Sequence, residues 1–145
     1  YLEHRIFVDH STPNCRSAVL YKGALQGERA RTTWVGDVLI RATAEGTDSY
    51  EANRNLLLTS GARADSVPNL EIETGEIVKA AHASATGRFE DDHLFYLQAR
   101  GISPEMAKRL VVRGFFHEVL QKVGIESVQQ YIADTVEREL AISGM

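Results

Sequence analysis

Over the first 88 residues the apolar positions come in short runs: RIFV (5–8), AVLYKGAL (18–25), TTWVGDVLIR (32–41), NLLL (55–58), LEIE (70–73) and EIVKA (76–80). Gly, Asp, Asn, Ser or Pro separate them, the residues whose backbone preferences suit turns. This pattern predicts strand after strand. No stretch of helix-like apolar spacing lies between the runs, so βαβ units are not expected, and a sandwich, a barrel or a stacked β-solenoid remain. The recurrent return to a short apolar stretch after a polar corner favours the solenoid, with Ala42, Ala44, Ala52, Ala62 and Ala64 as small interior spacers. The spacing is too irregular to fix a coil length.

After Arg88 the period changes to three-and-four spacing, which predicts helices near 91–99, 104–123 and 126–141. The first carries Leu94, Phe95 and Leu97 or Tyr96 inward and ends at Gly101. The second opens with Ser103 as N-cap, Pro104 at the first helical position and Glu105 in the first turn. Its expected buried stripe is Met106, Leu110, Val111, Phe115, Val119 and Leu120, and Gly114 is expected to sit where another element packs closely. The third is expected to bury Val128, Ile132, Val136 or Thr135, and Leu140. The chain is thus read as two domains, 1–88 built of β-coils and 89–145 helical.

Composition narrows the function classes. The 145 residues, 43% hydrophobic and 25% charged, suit one modest core. A net charge of −4 with no concentrated Lys/Arg stripe argues against nucleic acid as a partner. A single cysteine, Cys15, leaves no internal disulfide, and no apolar run is long enough to span a bilayer, so a cytoplasmic location without membrane contact is expected. The chain starts at YLEHRIFVDH with a strand already under way, which is read as a piece of a longer protein.

Candidate chemistry is sparse, and no catalytic constellation or phosphate loop is visible. Asp91, Asp92 and His93 are better explained as an acidic helix start than as a metal site, because adjacent helix residues do not share a face. His4, His10 and Cys15 are too few for a tight soft-metal site. His117 reads as a helix-surface histidine. His82, in VKAAHASATG (78–87), stands among Ala, Ser and Gly, small neighbours that let a partner approach while a neutral imidazole offers one nitrogen; a hydrogen-bonded strand-end histidine accounts for the same pattern.

Read together, YEANRNLLL (50–58), SVPNLEI (66–72), HASATG (82–87), LFYLQARGIS (94–103) and GFFHEVL (114–120) resemble the C-terminal core of the SufB/SufD family of iron–sulfur cluster assembly proteins. The likeness runs from about His10 to Leu120. It implies a right-handed parallel β-helix, here its last coils, followed by a small helical domain. The SufB branch is similar but carries a cysteine at the position of Ala62 and a glutamate at that of Ala83. Both are absent here, and the chain resembles the SufD branch. His82 falls on the histidine that branch contributes at the SufB–SufD interface, where the nascent cluster is thought to form. SufD, however, usually has Gly at the position of Ala83, and the family usually has an Asp-Asp pair where this chain reads TGEIVKAAH (74–82).

The expectation is therefore a scaffold subunit without enzymatic activity. Its β-coils would pair with a SufB-like subunit around His82, and its helices would dock a SufC-like ATPase through Arg109, Arg113, His117 and Lys122. No tightly bound cofactor is expected in isolation, only a transient iron–sulfur cluster or iron at the subunit interface, and a homodimer is one state open to the isolated chain. Two alternatives stand beside it. A carbohydrate-active β-helix enzyme would need converging carboxylates, for which Asp37, Asp48, Glu51, Asp65, Glu71 and Glu73 are available without a row of sugar-stacking aromatics. A self-associating structural solenoid would need no cluster chemistry.

Overall fold

The computed structural model describes residues 1–89 and 91–142, the side chains of residues 91–93 excepted. The chain divides into two compact units, Tyr1–Gly87 and Arg88–Met145. The first holds β1 (Leu2–His10), β2 (Arg16–Leu25), β3 (Arg31–Ile40), β4 (Thr47–Leu57), β5 (Arg63–Ile72) and β6 (Ile77–Arg88). The second holds α1 (Asp91–Gln98), α2 (Pro104–Lys122) and α3 (Glu126–Ile142).

Strands alternate between two sheets, ordered β1-β3-β5 and β2-β4-β6. Pairing is parallel: Leu2 lies opposite Thr32, Arg16 opposite Asp48 and Arg31 opposite Arg63. Each strand therefore finds its sheet neighbour about one circuit of 32 residues later, a step repeated by side-chain bonds such as Ser17 to Ser49 and Arg41 to Asp9. The sequence hid this period because its apolar runs differ in length, and the steps are not uniform.

Alternation along β3 and β4 sets the interior. Trp34, Gly36, Val38 and Ile40 point in from β3, and Thr47, Ser49, Glu51, Asn53, Asn55 and Leu57 point in from β4. Val38, Ile40 and Ala44 form one apolar cluster with Val8, Leu70, Ile77 and Ala80 against it, and Leu25, Leu57 and Ala62 form another. Ala44, Ala52 and Ala62 are buried as the pattern predicts, while Ala42 is exposed at a corner. The interior polar groups are largely satisfied. His10 Nε2 and Ser17 Oγ share a bond of 2.9 Å, Ser17 Oγ and Ser49 Oγ one of 2.8 Å. Asn53 Oδ1 accepts from Asn55 Nδ2 at 2.7 Å and from Ser66 Oγ at 2.6 Å. Buried side-chain amides bonded this way cost little and fix the register of the stack.

In the helical unit, Ser103 caps α2 by accepting from the Met106 amide at 3.3 Å, with Pro104 at the start and Glu105 in the first turn. The buried stripe differs from the expected one. α2 buries Ala107 and Val112, while Met106 and Leu110 remain 48% and 40% exposed. Small Ala107 fits where the longer side chains do not. Phe95 and Tyr96 of α1 and Val128 of α3 are likewise exposed, and Leu140 is buried. Gly114 has open space where a Cβ would stand, so no neighbouring element requires a glycine there. Arg109 and Arg113 both reach Glu137, at 3.0 and 2.9 Å, and tie α2 to α3.

Candidate subunit-interface site

His82 stands in the middle of β6, the outer strand of its sheet, and its side chain is exposed. Its neighbours Ala81, Ala83 and Ser84 present little bulk above the backbone. An outer strand carries one row of backbone donors and acceptors that no sheet neighbour uses. The combination is a flat, small-residue strand with one ring that can coordinate or accept a hydrogen bond.

One coil earlier the sheet interior contains the only fully enclosed carboxylate among the described residues. Glu51 is 1% exposed and neither of its oxygens has a hydrogen-bond partner; Trp34, 2% exposed, leaves its Nε1–H unpartnered. Gly36 makes room for both, since a Cβ there would overlap Glu51 Oε1 and come within 2.6 Å of the Trp34 ring. Burial, reinforced by the negative charge of Asp37, pushes the Glu51 carboxyl above its ordinary range. The sequence offered Glu51 only as one of six scattered carboxylates; a charged residue at an inward position of a strand was the signal, legible only once the face of β4 was known.

The other sequence candidates do not converge. His10 bonds Ser17, the His4 ring lies tilted against Tyr21 with centroids 5.9 Å apart, and Cys15 Sγ donates to the Thr12 carbonyl at 3.1 Å. Asp37 accepts from Asn69, Asp48 pairs with Arg16, Asp65 with Arg63, and Glu73 accepts from the Ala42 amide. These four carboxylates are each engaged with a different non-acidic neighbour. Among the described residues no three His, Cys, Asp or Glu side chains gather as a ready metal cage. The side chains of Asp91, Asp92 and His93 lie outside the described residues. No described helix is long and apolar enough to cross a membrane.

Of the four residues expected on the ATPase-docking helices, Arg109 is half-buried in its bond to Glu137, whereas Arg113, His117 and Lys122 are exposed. Arg113 and His117 line a cleft of about 670 Å³ between α2 and α3, floored by Leu110, Gly114, Phe116 and Leu120.

Residues 1–115 match the family described as SUF system FeS cluster assembly, SufBD core domain. The chain belongs to the SufBD family. It is 61% identical over 149 aligned residues to an iron–sulfur cluster assembly SufBD family protein of Mycobacterium tuberculosis, an alignment covering 99% of this chain and 38% of that protein. Against the iron–sulfur cluster assembly protein SufD of Escherichia coli the identity is 29%, over 94% of this chain and 32% of the relative. Against SufD of Bacillus subtilis it is 31%, over 83% of this chain and 28% of the relative. The chain thus spans well under half the length of these SufBD relatives.

Proposed function

We propose that this SufBD chain is part of a SufD-like, non-catalytic scaffold subunit for iron–sulfur cluster assembly in the cytoplasm. Its β-unit is part of a right-handed parallel β-helix, a reading supported by two parallel sheets whose alternating strands pair at steps of about 30 to 32 residues. The outer strand β6 pairs with a SufB-like subunit, and His82 faces the cluster or the iron passing through that interface. The observation that carries this is an exposed histidine among small residues on an outer strand of a SufBD core. An exposed strand edge recognises a related sheet by main-chain hydrogen bonding, and small side chains keep the approach close.

The helical unit docks a SufC-like ATPase. Exposed Leu110 lines the cleft between α2 and α3 together with Phe116, Leu120, Arg113 and His117, an apolar surface with a polar rim. A single cysteine suits a supporting role, because a cluster held by one subunit needs about four thiolates. Separate engagement of Asp37, Asp48, Asp65 and Glu73 speaks against the carbohydrate-active alternative, which needs two carboxylates that face one substrate. The test is co-expression with the SufB-like and ATPase subunits of the same cell. Recovery of all three through a tag on this chain is expected, and a chain that purifies alone or only as a self-associated species contradicts the reading.

A further inference from the structure

The register between β4 and β6 brings the exposed histidine and the enclosed carboxylate together. The Gly46 amide donates to the Glu76 carbonyl at 2.6 Å, and in a parallel ladder an amide bonded in this way stands opposite the following residue, Ile77. At the other end of the strands Asn55 Nδ2 reaches Thr86 Oγ1 at 3.4 Å, across the same step of 31 residues. That step sets His82 opposite Glu51. The facing side is set by Thr86, which meets the inward Asn55, and by Lys79, which lies over Tyr50 on the outer side, 5.2 Å from its ring centroid. By alternation His82 shares the inner side with Ala80, Thr86 and, across the ladder, Glu51. Register neighbours in adjacent strands stand about 4.8 Å apart, so two side chains on one face of the ladder are neighbours.

We propose that Glu51 and His82 together form an acceptor site for a divalent first-row metal ion, Glu51 supplying the anionic oxygen donor and His82 the neutral nitrogen donor. The proposal rests on the functional reading of His82 and deepens it by giving that residue a partner in its own chain. A carboxylate closed off from water with neither oxygen bonded is costly, and a cation is the group that offsets the cost. Mixed carboxylate and imidazole donors suit borderline ions such as Fe²⁺, Co²⁺ or Zn²⁺ better than Mg²⁺ or Cu⁺. Two protein donors leave the remaining positions to groups of a facing subunit, so the ion is held loosely enough to be passed on, as befits cargo. Gly36 keeps the space that the carboxylate needs.

The test is titration of Co²⁺ alone into the metal-free chain, followed by visible d–d absorption and calorimetry, for the wild type, Glu51→Gln, His82→Ala and the double variant. Each single variant is expected to bind at least about tenfold more weakly, the least that losing a direct ligand should cost when outer partners already cost that much. The double variant should lose little more, because two ligands of one ion fail together. In the wild type, paramagnetic Co²⁺ should shift the His82 ring and Glu51 side-chain resonances, a readout independent of how any variant folds. Unshifted resonances, no saturable Co²⁺ binding by the wild type, or wild-type binding by Glu51→Gln would each overturn the proposal. Wild-type binding by Glu51→Gln with weakened binding by His82→Ala removes Glu51 and leaves the reading of His82 standing.

Discussion

Glu51 is present despite what its surroundings charge for it. Its neighbours on the inward side of β4, Ser49 and Asn53, are hydrogen-bonded, yet both Glu51 oxygens are without a partner. Replacing it by Met, apolar and of similar length, should stabilise the apo chain at pH 7 by about 1–3 kcal/mol, the range for relieving an unsatisfied buried polar group. Urea denaturation reads this directly, and equal or lower stability would mean the carboxylate is satisfied in solution. Asp9 shows the opposite case at the surface. Two bonds from Arg41, at 2.8 and 2.9 Å, hold its carboxyl below the ordinary carboxylate range. A carboxyl depressed in the folded state contributes stability that is complete above its unfolded pKa of about 3.9 and is lost as pH falls through the lower folded value. In Arg41→Ala the Asp9 carboxyl should titrate at higher pH in an NMR series; an unmoved curve would mean the pair does not persist in solution.

Among the elements, the helix termini were the most legible in the sequence. Ser103, Pro104 and Glu105 act locally, through one cap and one macrodipole, so their roles need no knowledge of the fold. Buried faces were less legible: Met106 and Leu110 fit a helical stripe, but the structure buries Ala107 and Val112, because the space available against a neighbour decides which side chain enters. Gly114 was read as a close-packing glycine and instead borders the open cleft between α2 and α3. Gly114→Ala should therefore raise stability by up to about 1 kcal/mol through helix propensity alone. A destabilised variant in thermal or urea unfolding would restore the close-packing reading. Deleting residues 103–145 should abolish binding of the ATPase while leaving the contact with the SufB-like subunit measurable by co-purification; the reverse result would move the ATPase site onto the β-unit.

For the whole molecule, strand content and the change of period at Arg88 could be read from turn residues and spacing, whereas the parallel two-sheet order could not. Parallel pairing joins residues one circuit apart, Arg16 with Asp48 or Arg31 with Arg63, and no local pattern records that distance. The same holds for the site. His82 was visible as a histidine among small residues, but Glu51, buried on another strand, is separated from it in the chain by β5 and the connections on either side. The family resemblance supplied what local patterns lacked, and membership in the SufBD family now stands on the match over residues 1–115. The central claim is that His82 serves cluster assembly and not the fold. It is tested most directly by complementation with His82→Ala, made in the full-length protein, in a strain that depends on this pathway, with co-purification of the partner subunits checked alongside. Removing one exposed ring from β6 should cost no more than about 1 kcal/mol of stability. The predicted result is an intact complex with cluster-dependent growth lost; normal growth with an intact complex would contradict the account and return His82 to an ordinary strand residue.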